Sequence, residues 1–254
     1  MTDAVLEARD VSKTYGHVTA LDHVNFSVHA GEVVALIGDN GAGKSTLVKI
    51  LSGTETPTSG AIFIDGQPVT ISGPMDARRH GVETVYQDLA LAPHLNPVQN
   101  MYLGREVMRG GIMGRLGFMN TSEMVRGSKA AFTDLGATVR NYAGSIGAMS
   151  GGQKQAVAVA RAAAWAKKVI LLDEPTAALG VVQTKGVLDL IRRVRDRGLG
   201  VVFISHSMPH VMDVADEIQV LRLGRRVATY RAHETNMEQL VGAMTGAVVQ
   251  EGLR

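Results

Sequence analysis

Residues 38–45 read Gly38-Asp39-Asn40-Gly41-Ala42-Gly43-Lys44-Ser45, a glycine, four residues, then Gly-Lys-Ser. No other stretch limits the possible fold as strongly. The apolar run Val33–Ile37 leads directly into it, and Thr46–Leu51 continues as a helical stretch, so the loop joins a buried strand to a helix. Glycines at this spacing let backbone N–H groups converge on phosphate oxygens, at a helix N-terminus whose dipole favours negative charge. Lys44 is then placed to reach the β- and γ-phosphates of a nucleotide, and the Ser45 hydroxyl to ligate Mg²⁺.

Three regions surround this unit. Up to about residue 86, short β-branched runs alternate with turn signals: Val24–Val28, Val33–Ile37, Ala61–Ile64 and Val82–Tyr86. Residues from about 88 to 160 are rich in Met, Gly and Ala and read as helices joined by loops, with glycine-rich Arg105–Met119 as a mobile connector. Strand–helix alternation then returns. Val169–Leu172 and Val201–Ile204 are fully apolar, as central parallel strands covered on both faces must be. Between them Val187, Leu188, Ile191 and Val194 share one helical stripe, and Gly198 follows where a helix C-terminus favours glycine. The pattern predicts a mainly parallel α/β sheet interrupted by a helical insertion.

Composition narrows the function. The chain has 26 Lys and Arg against 24 Asp and Glu, a net charge of +2, which gives no sign of a polyanion-coating protein. The absence of cysteine excludes disulfides, thiolate zinc sites and a cysteine nucleophile. Met1–Asp10 carries acids and no apolar run, so no secretory signal is expected there. The most apolar long stretch, Ala156–Leu172, is broken by Arg161, Lys167 and Lys168, so no span across a bilayer is expected. Any work at a membrane is done from its side.

Two further motifs carry chemistry. In Val169-Ile170-Leu171-Leu172-Asp173-Glu174-Pro175 a buried strand ends in two carboxylates, at the strand end where open α/β sheets bind ligands. Alone, such a run is commonly a solvated turn. Downstream of a phosphate loop it offers Asp173 to Mg²⁺, directly or through water, and Glu174 to the attacking water. Met149-Ser150-Gly151-Gly152-Gln153 precedes the alanine-rich helix-forming stretch Ala156–Trp165. Ser150 suits an N-cap, and the glycine-exposed N–H groups form a second anion site.

Taken in order, the phosphate loop, Tyr86-Gln87, Met149–Gln153, Leu172–Pro175 and Ser205-His206 resemble the ATP-binding cassette (ABC) ATPases over roughly residues 4–246. The resemblance implies the P-loop cassette fold. Residues 1–87 and 161–246 would form the sheet core plus an antiparallel β subdomain, and residues 88–160 a helical subdomain. It implies that Tyr15, in Ser12-Lys13-Thr14-Tyr15-Gly16, stacks on adenine and that residues 38–46, Thr46 included, cradle the phosphates. Gln87 would sense Mg²⁺ and the attacking water and report to a transport partner. His206 would contact the γ-phosphate. Two ATP molecules would be sandwiched between the phosphate loop of one copy and Ser150–Gln153 of another. With one cassette per chain an isologous homodimer is the simplest arrangement.

Further stretches resemble bacterial importers of ribose, xylose and fructose: Ser72–Pro74, Ala77–Val82, Leu95–Glu106, Pro175–Gly180, Ser207–His210 and Met244–Gly246. The single-cassette, fructose-type subunit is the nearest in pattern. This implies an ATPase coupled to monosaccharide import, peripheral on the cytoplasmic face of the membrane. Its partners would be permease subunits and, indirectly, a secreted or periplasmic sugar-binding protein, with no nucleic acid involved. The competing class is a soluble ABC ATPase acting on nucleic acid or ribosomes, or the cassette of a non-sugar transporter. The coiled coils, tandem cassettes and zinc cysteines of the soluble relatives are absent from this sequence. Gly180 departs from the aspartate common in other cassettes and leaves that cross-interface contact open. Met149 for the usual leucine is a near-isosteric change. Asp88–Tyr102, with Leu91, Leu95 and Met101 expected on the surface, is the candidate docking face for a permease.

Overall fold

The computed structural model describes residues 4–139 and 141–248. Residues 1–3 of the N-terminal stretch examined for a signal therefore lie outside the described residues. Strand β1 (Leu6–Tyr15) and strand β2 (Val18–Val28) form an antiparallel hairpin around Gly16, which holds a φ of 57° that few other residues adopt. The fully buried β3 (Val33–Gly38) is followed by the phosphate loop and helix α1 (Lys44–Leu51). Strands β4 (Ser59–Ile64) and β5 (Gln67–Val69) complete a four-stranded sheet in the order β2-β1-β4-β5.

Helix α2 (Pro74–Arg79) and strand β6 (Val82–Val85) lead to four helices, α3 (Pro97–Tyr102), α4 (Gly111–Arg115), α5 (Thr121–Asp134) and α6 (Gly151–Trp165). The chain then runs through β7 (Val169–Asp173), α7 (Val181–Asp196), β8 (Gly200–Ile204), α8 (Met208–Val214), β9 (Glu217–Arg222), β10 (Arg225–Arg231) and α9 (Met237–Thr245). The second sheet has the order β10-β9-β3-β8-β7-β6. Its pairings are parallel except for β10 on β9.

Alternation along the central strands divides the interior in two. Val33, Ala35, Ile37, Ile170, Leu172, Val201 and Phe203 face α6, α7 and the helical segment, including the fully buried Phe132. Val34, Leu36, Leu171, Val202 and Ile204 face α1 and the antiparallel sheet, where Leu6, Val24 and Phe26 are buried. Both faces are covered, which is why these strands read as unbroken apolar runs. The register sets Leu36 beside Ile204 and Ile204 beside Asp173, so the ends of β3, β8 and β7 lie level.

The structure amends several expectations. Tyr86 lies beyond the end of β6. The segment Arg105–Met119 is more than a connector: it closes into a hairpin with a Met108–Met119 bridge and α4 at its tip. Helix α6 runs unbroken through residues 160 and 161, where the sequence reading divided two subdomains, and packs on β6, β7 and α7. Met101, expected on the surface, is 2% exposed in the main core. It occupies the inward face of α3, where the capped start at Asn96 fixes the helix's rotation. Gly198 follows α7 with a φ of 86° and donates to the Arg195 carbonyl, as the C-terminal pattern requires.

Candidate nucleotide site

The phosphate loop owes its shape to two tightly enclosed glycines. A Cβ on Gly38 would stand 2.2 Å from the Leu221 carbonyl oxygen, and one on Gly43 would stand 2.7 Å from the Ala20 carbonyl oxygen. Both residues have positive φ, 153° and 102°, so strand β9 and the β2 backbone close around a loop that only glycine can thread. Gly43 is the N-cap of α1 and provides no side-chain cap, which leaves the first-turn N–H groups of α1 to a ligand. Ser45 and Thr46 lie in that turn. Lys44 Nζ donates to the carbonyls of Gly38 at 2.7 Å and Asp39 at 2.9 Å, folding back over the loop.

Strand β7 delivers the acids. Asp173 is its last residue, and Glu174 follows in the left-handed region (φ 50°), its N–H donating to the Ile204 carbonyl at the end of β8. The Glu174 carbonyl accepts from the Ala177 N–H at 3.1 Å, so a strained non-glycine backbone opens the turn that carries the Glu174 side chain. His206 Nδ1 stands 2.9 Å from Glu174 Oε2, an ion pair when the imidazole is protonated. Glu174 Oε2 is nevertheless buried without an aligned hydrogen bond. Burial pushes the Asp173 carboxyl above its ordinary range, with repulsion from Glu174 adding and Lys44 and Lys49 opposing. Burial likewise pulls the Lys44 ammonium below its usual value, against the attraction of Glu174, Asp39 and Asp173. Two crowded carboxylates, one with an unsatisfied oxygen, beside a desolvated cation and unpaired helix N–H groups fit a phosphate chain carrying a divalent metal. Among the described residues no group of three or more His, Asp and Glu could hold a metal by itself. The fitting donors are Ser45 and Asp173, with phosphate oxygens completing the set.

The structure therefore brings together residues 38–46, Asp173, Glu174 and His206. Tyr15 ends β1, 41% exposed, with the Lys13 ammonium over its ring, 5.0 Å from the centre. Gln87 is exposed in the loop after β6. Ser150–Gln153 lie apart, at the start of α6. The Ser150 Oγ accepts from the Gln153 N–H at 3.3 Å, and Gln153 Oε1 accepts from the Ser150 N–H at 3.0 Å, a complete capping box. A Cβ on Gly152 would stand 2.6 Å from Gln183 Cγ of α7, and one on Gly151 would stand 3.5 Å from Leu179. The serine motif thus packs against its own chain's loop after the acidic strand. Gly180 in that loop is extended (φ −71°), a conformation open to any residue.

Sequence reasoning missed what holds the Gln87 loop. Asn100, fully buried on α3, accepts from the Ala92 N–H and donates to the carbonyls of Ala92, Leu95 and Asn96. Arg161 of α6 donates to the carbonyls of Leu89 and Ala90. Neither has a local signature, and Arg161 registers in the sequence only as a charge interrupting an apolar run.

A phosphate loop, an acidic strand end and a histidine meeting at one end of a parallel sheet, with a serine-capped helix, define a P-loop ATPase of the ATP-binding cassette class. The chain belongs to the ABC transporter family, whose profile matches residues 21–177. It is 49% identical over 247 residues to the fructose import ATP-binding protein FrcA of Rhizobium meliloti, covering 96% of this chain and 95% of that one. To the xylose/arabinose import ATP-binding protein XylG of Sulfolobus acidocaldarius it is 45% identical, covering 95% and 94% of the two chains. The ribose import ATP-binding protein RbsA 2 of Burkholderia pseudomallei is 42% identical, with 95% of this chain matching 46% of that protein. Among solved structures, a nucleotide-free ABC transporter cassette superposes with a TM-score of 0.79 at 23% identity over 96% of both chains, a likeness of fold. A bacterial cassette solved as a dimer gives 0.74 at 26% identity, covering 89% of this chain and 98% of that one.

Proposed function

We propose that this protein is the ATP-hydrolysing, energy-coupling subunit of a monosaccharide importer, acting as a homodimer beneath a membrane-spanning permease. The observation that carries the reading is the convergence of Lys44, Asp173, Glu174 and His206 at the level ends of β3, β7 and β8, with Ser150–Gln153 at the start of α6 against Leu179 and Gln183. The printed functions of the fructose, xylose/arabinose and ribose import proteins support sugar as the cargo.

Lys44 exchanges the Gly38 and Asp39 carbonyls for phosphate oxygens, and the first-turn N–H groups of α1 take the remaining negative charge. Ser45 and Asp173 would hold Mg²⁺, which supplies neutralisation of the charge developing on the phosphates, and Gln87 would sense it. Glu174 accepts the proton of the attacking water and His206 donates to the γ-phosphate. Tyr15 stacks on the adenine. Ser150, Gly151, Gly152 and Gln153 of the second copy close over the nucleotide, offering the Gly151 and Gly152 N–H groups that the capping box leaves without a side-chain partner. ATP thereby supplies interface affinity that the bare surfaces lack, and hydrolysis removes it.

The permease docks beside the Gln87 loop. An apolar groove of about 440 Å³ lies there, lined by Leu95, Val98, Leu103, Met119, Met124 and Tyr142, which keeps Leu95 on the docking face. Among the described residues no helix is long and apolar enough to cross a membrane. In this reading the docking contact holds the subunit at the cytoplasmic face. A sugar-binding protein on the far side would deliver the cargo without touching this chain. Reconstitution with its permease in proteoliposomes tests the reading: ATP-dependent accumulation of a labelled pentose or fructose is expected. Turnover indifferent to permease and sugar would overturn it.

A further inference from the structure

Arg161 occupies the helix whose N-terminus is the Ser150 motif, and it reaches the loop that follows Gln87. Its Nη1 donates to the Ala90 carbonyl at 2.8 Å and its Nη2 to the Leu89 carbonyl at 3.1 Å. Those two residues are strained: Leu89 has a φ of 63° and Ala90 a φ of 44°, left-handed conformations that neither side chain favours. A planar guanidinium fork matches two adjacent carbonyls in a way that a point-charge ammonium cannot.

The surroundings make the guanidinium electrostatically costly. Burial lowers its pKa, and the neighbouring Arg78 and Arg105 add to that, with Glu83 opposing. Glu83 already pairs with Arg105 and stands 3.7 Å from Arg78. What Arg161 gains in return is the pair of loop carbonyls. Helix α6 is in turn fastened to α3 at its far end, where Trp165 Nε1 donates to the Met101 carbonyl at 2.9 Å.

We infer that Arg161 is a positioning residue that locks the Gln87 loop to the signature helix, so that closure of Ser150–Gln153 over a nucleotide carries the Gln87 backbone with it. The inference rests on the reading of Gln87 as the sensor of metal and attacking water. Without the clamp, the strained turn at Leu89 and Ala90 relaxes and Gln87 loses its set position while the phosphate loop stays intact.

A double-mutant cycle on the permease-associated ATPase tests it. Arg161→Gln and Gln87→Ala are each expected to lower kcat by roughly tenfold, with KM for ATP within about twofold of wild type. The double variant is expected to be no slower than Gln87→Ala alone, and Arg161→Lys to recover part of the loss. Additive losses would overturn the role of Arg161 while leaving Gln87 in place; so would an Arg161→Gln defect seen only as less folded protein of normal kcat. Native turnover in Gln87→Ala would overturn the sensor reading, and with it the inference. Should Arg161→Gln fail to fold, Arg161→Lys closes the same cycle with the same outcomes.

Discussion

His206 Nδ1 stands 2.9 Å from Glu174 Oε2, across the neighbouring ends of β8 and β7. The carboxylate is largely enclosed while the imidazole is 75% exposed. In the proposed mechanism the enclosed partner is the base and the exposed one contacts the γ-phosphate.

Replacing Glu174 by Gln removes proton acceptance while keeping the size of the side chain. ATP binding is expected to remain at wild-type affinity, turnover to fall by about 10²–10⁴-fold, and an ATP-dependent dimer to persist on size exclusion. Ordinary steady-state turnover would refute the base assignment.

Ser150→Arg places a bulky cation at the N-cap of α6, which packs against Leu179 and Gln183 of its own chain. Nucleotide titration of the single subunit should match wild type, while hydrolysis is lost. A variant that hydrolyses at the native rate would sink the shared site.

Asp173 gives the site a pH signature. Its folded pKa lies above its unfolded value, so the folded state holds that proton more tightly. The stability this residue contributes to the nucleotide-free protein therefore falls as pH rises from the unfolded value through the raised one. Mg²⁺ competes with the same proton, so stabilisation by Mg-ATP grows over that interval. Asp173→Asn is expected to raise the melting temperature of the nucleotide-free protein at neutral pH and to erase the Mg²⁺-dependent increment in thermal unfolding. A lower melting temperature with the increment retained would contradict it.

Gly41 and Gly38 should differ sharply when changed to Ala. At Gly41 the new methyl meets nothing within 4 Å, and the cost is that of a left-handed alanine, about 1 kcal/mol. At Gly38 it meets the backbone of Leu221, and the cost is expected to reach roughly 3 kcal/mol or more by chemical denaturation. Equal losses would show that the enclosure by β9 is unimportant.

Leu95→Asp places a charge in the apolar groove without touching the nucleotide site. Co-purification with detergent-solubilised permease is expected to fall while nucleotide affinity stays within about twofold. Undiminished co-purification would move the docking face elsewhere.

The site was legible where its chemistry is contiguous. The phosphate loop needs particular residues at consecutive positions because backbone N–H groups must converge on one anion. The acids after β7 and the capping box at Ser150 likewise act within a few residues of chain. Met101 misled because an apolar residue in a short, capped helix looks alike whether it faces in or out. Arg161 and Asn100 were invisible because their partners are backbone carbonyls, which carry no side-chain identity.

From sequence alone came the strand–loop–helix unit, the buried parallel strands and the family they imply, since steric rules and hydrophobic periodicity operate over a few neighbouring residues. Tertiary structure decided that β3 lies between β9 and β8, that Asp173, Ile204 and Leu36 fall level, and that Arg161 reaches the Gln87 loop. Those relations join segments remote in sequence. They exist only once burial of both sheet faces has chosen one strand order and one register.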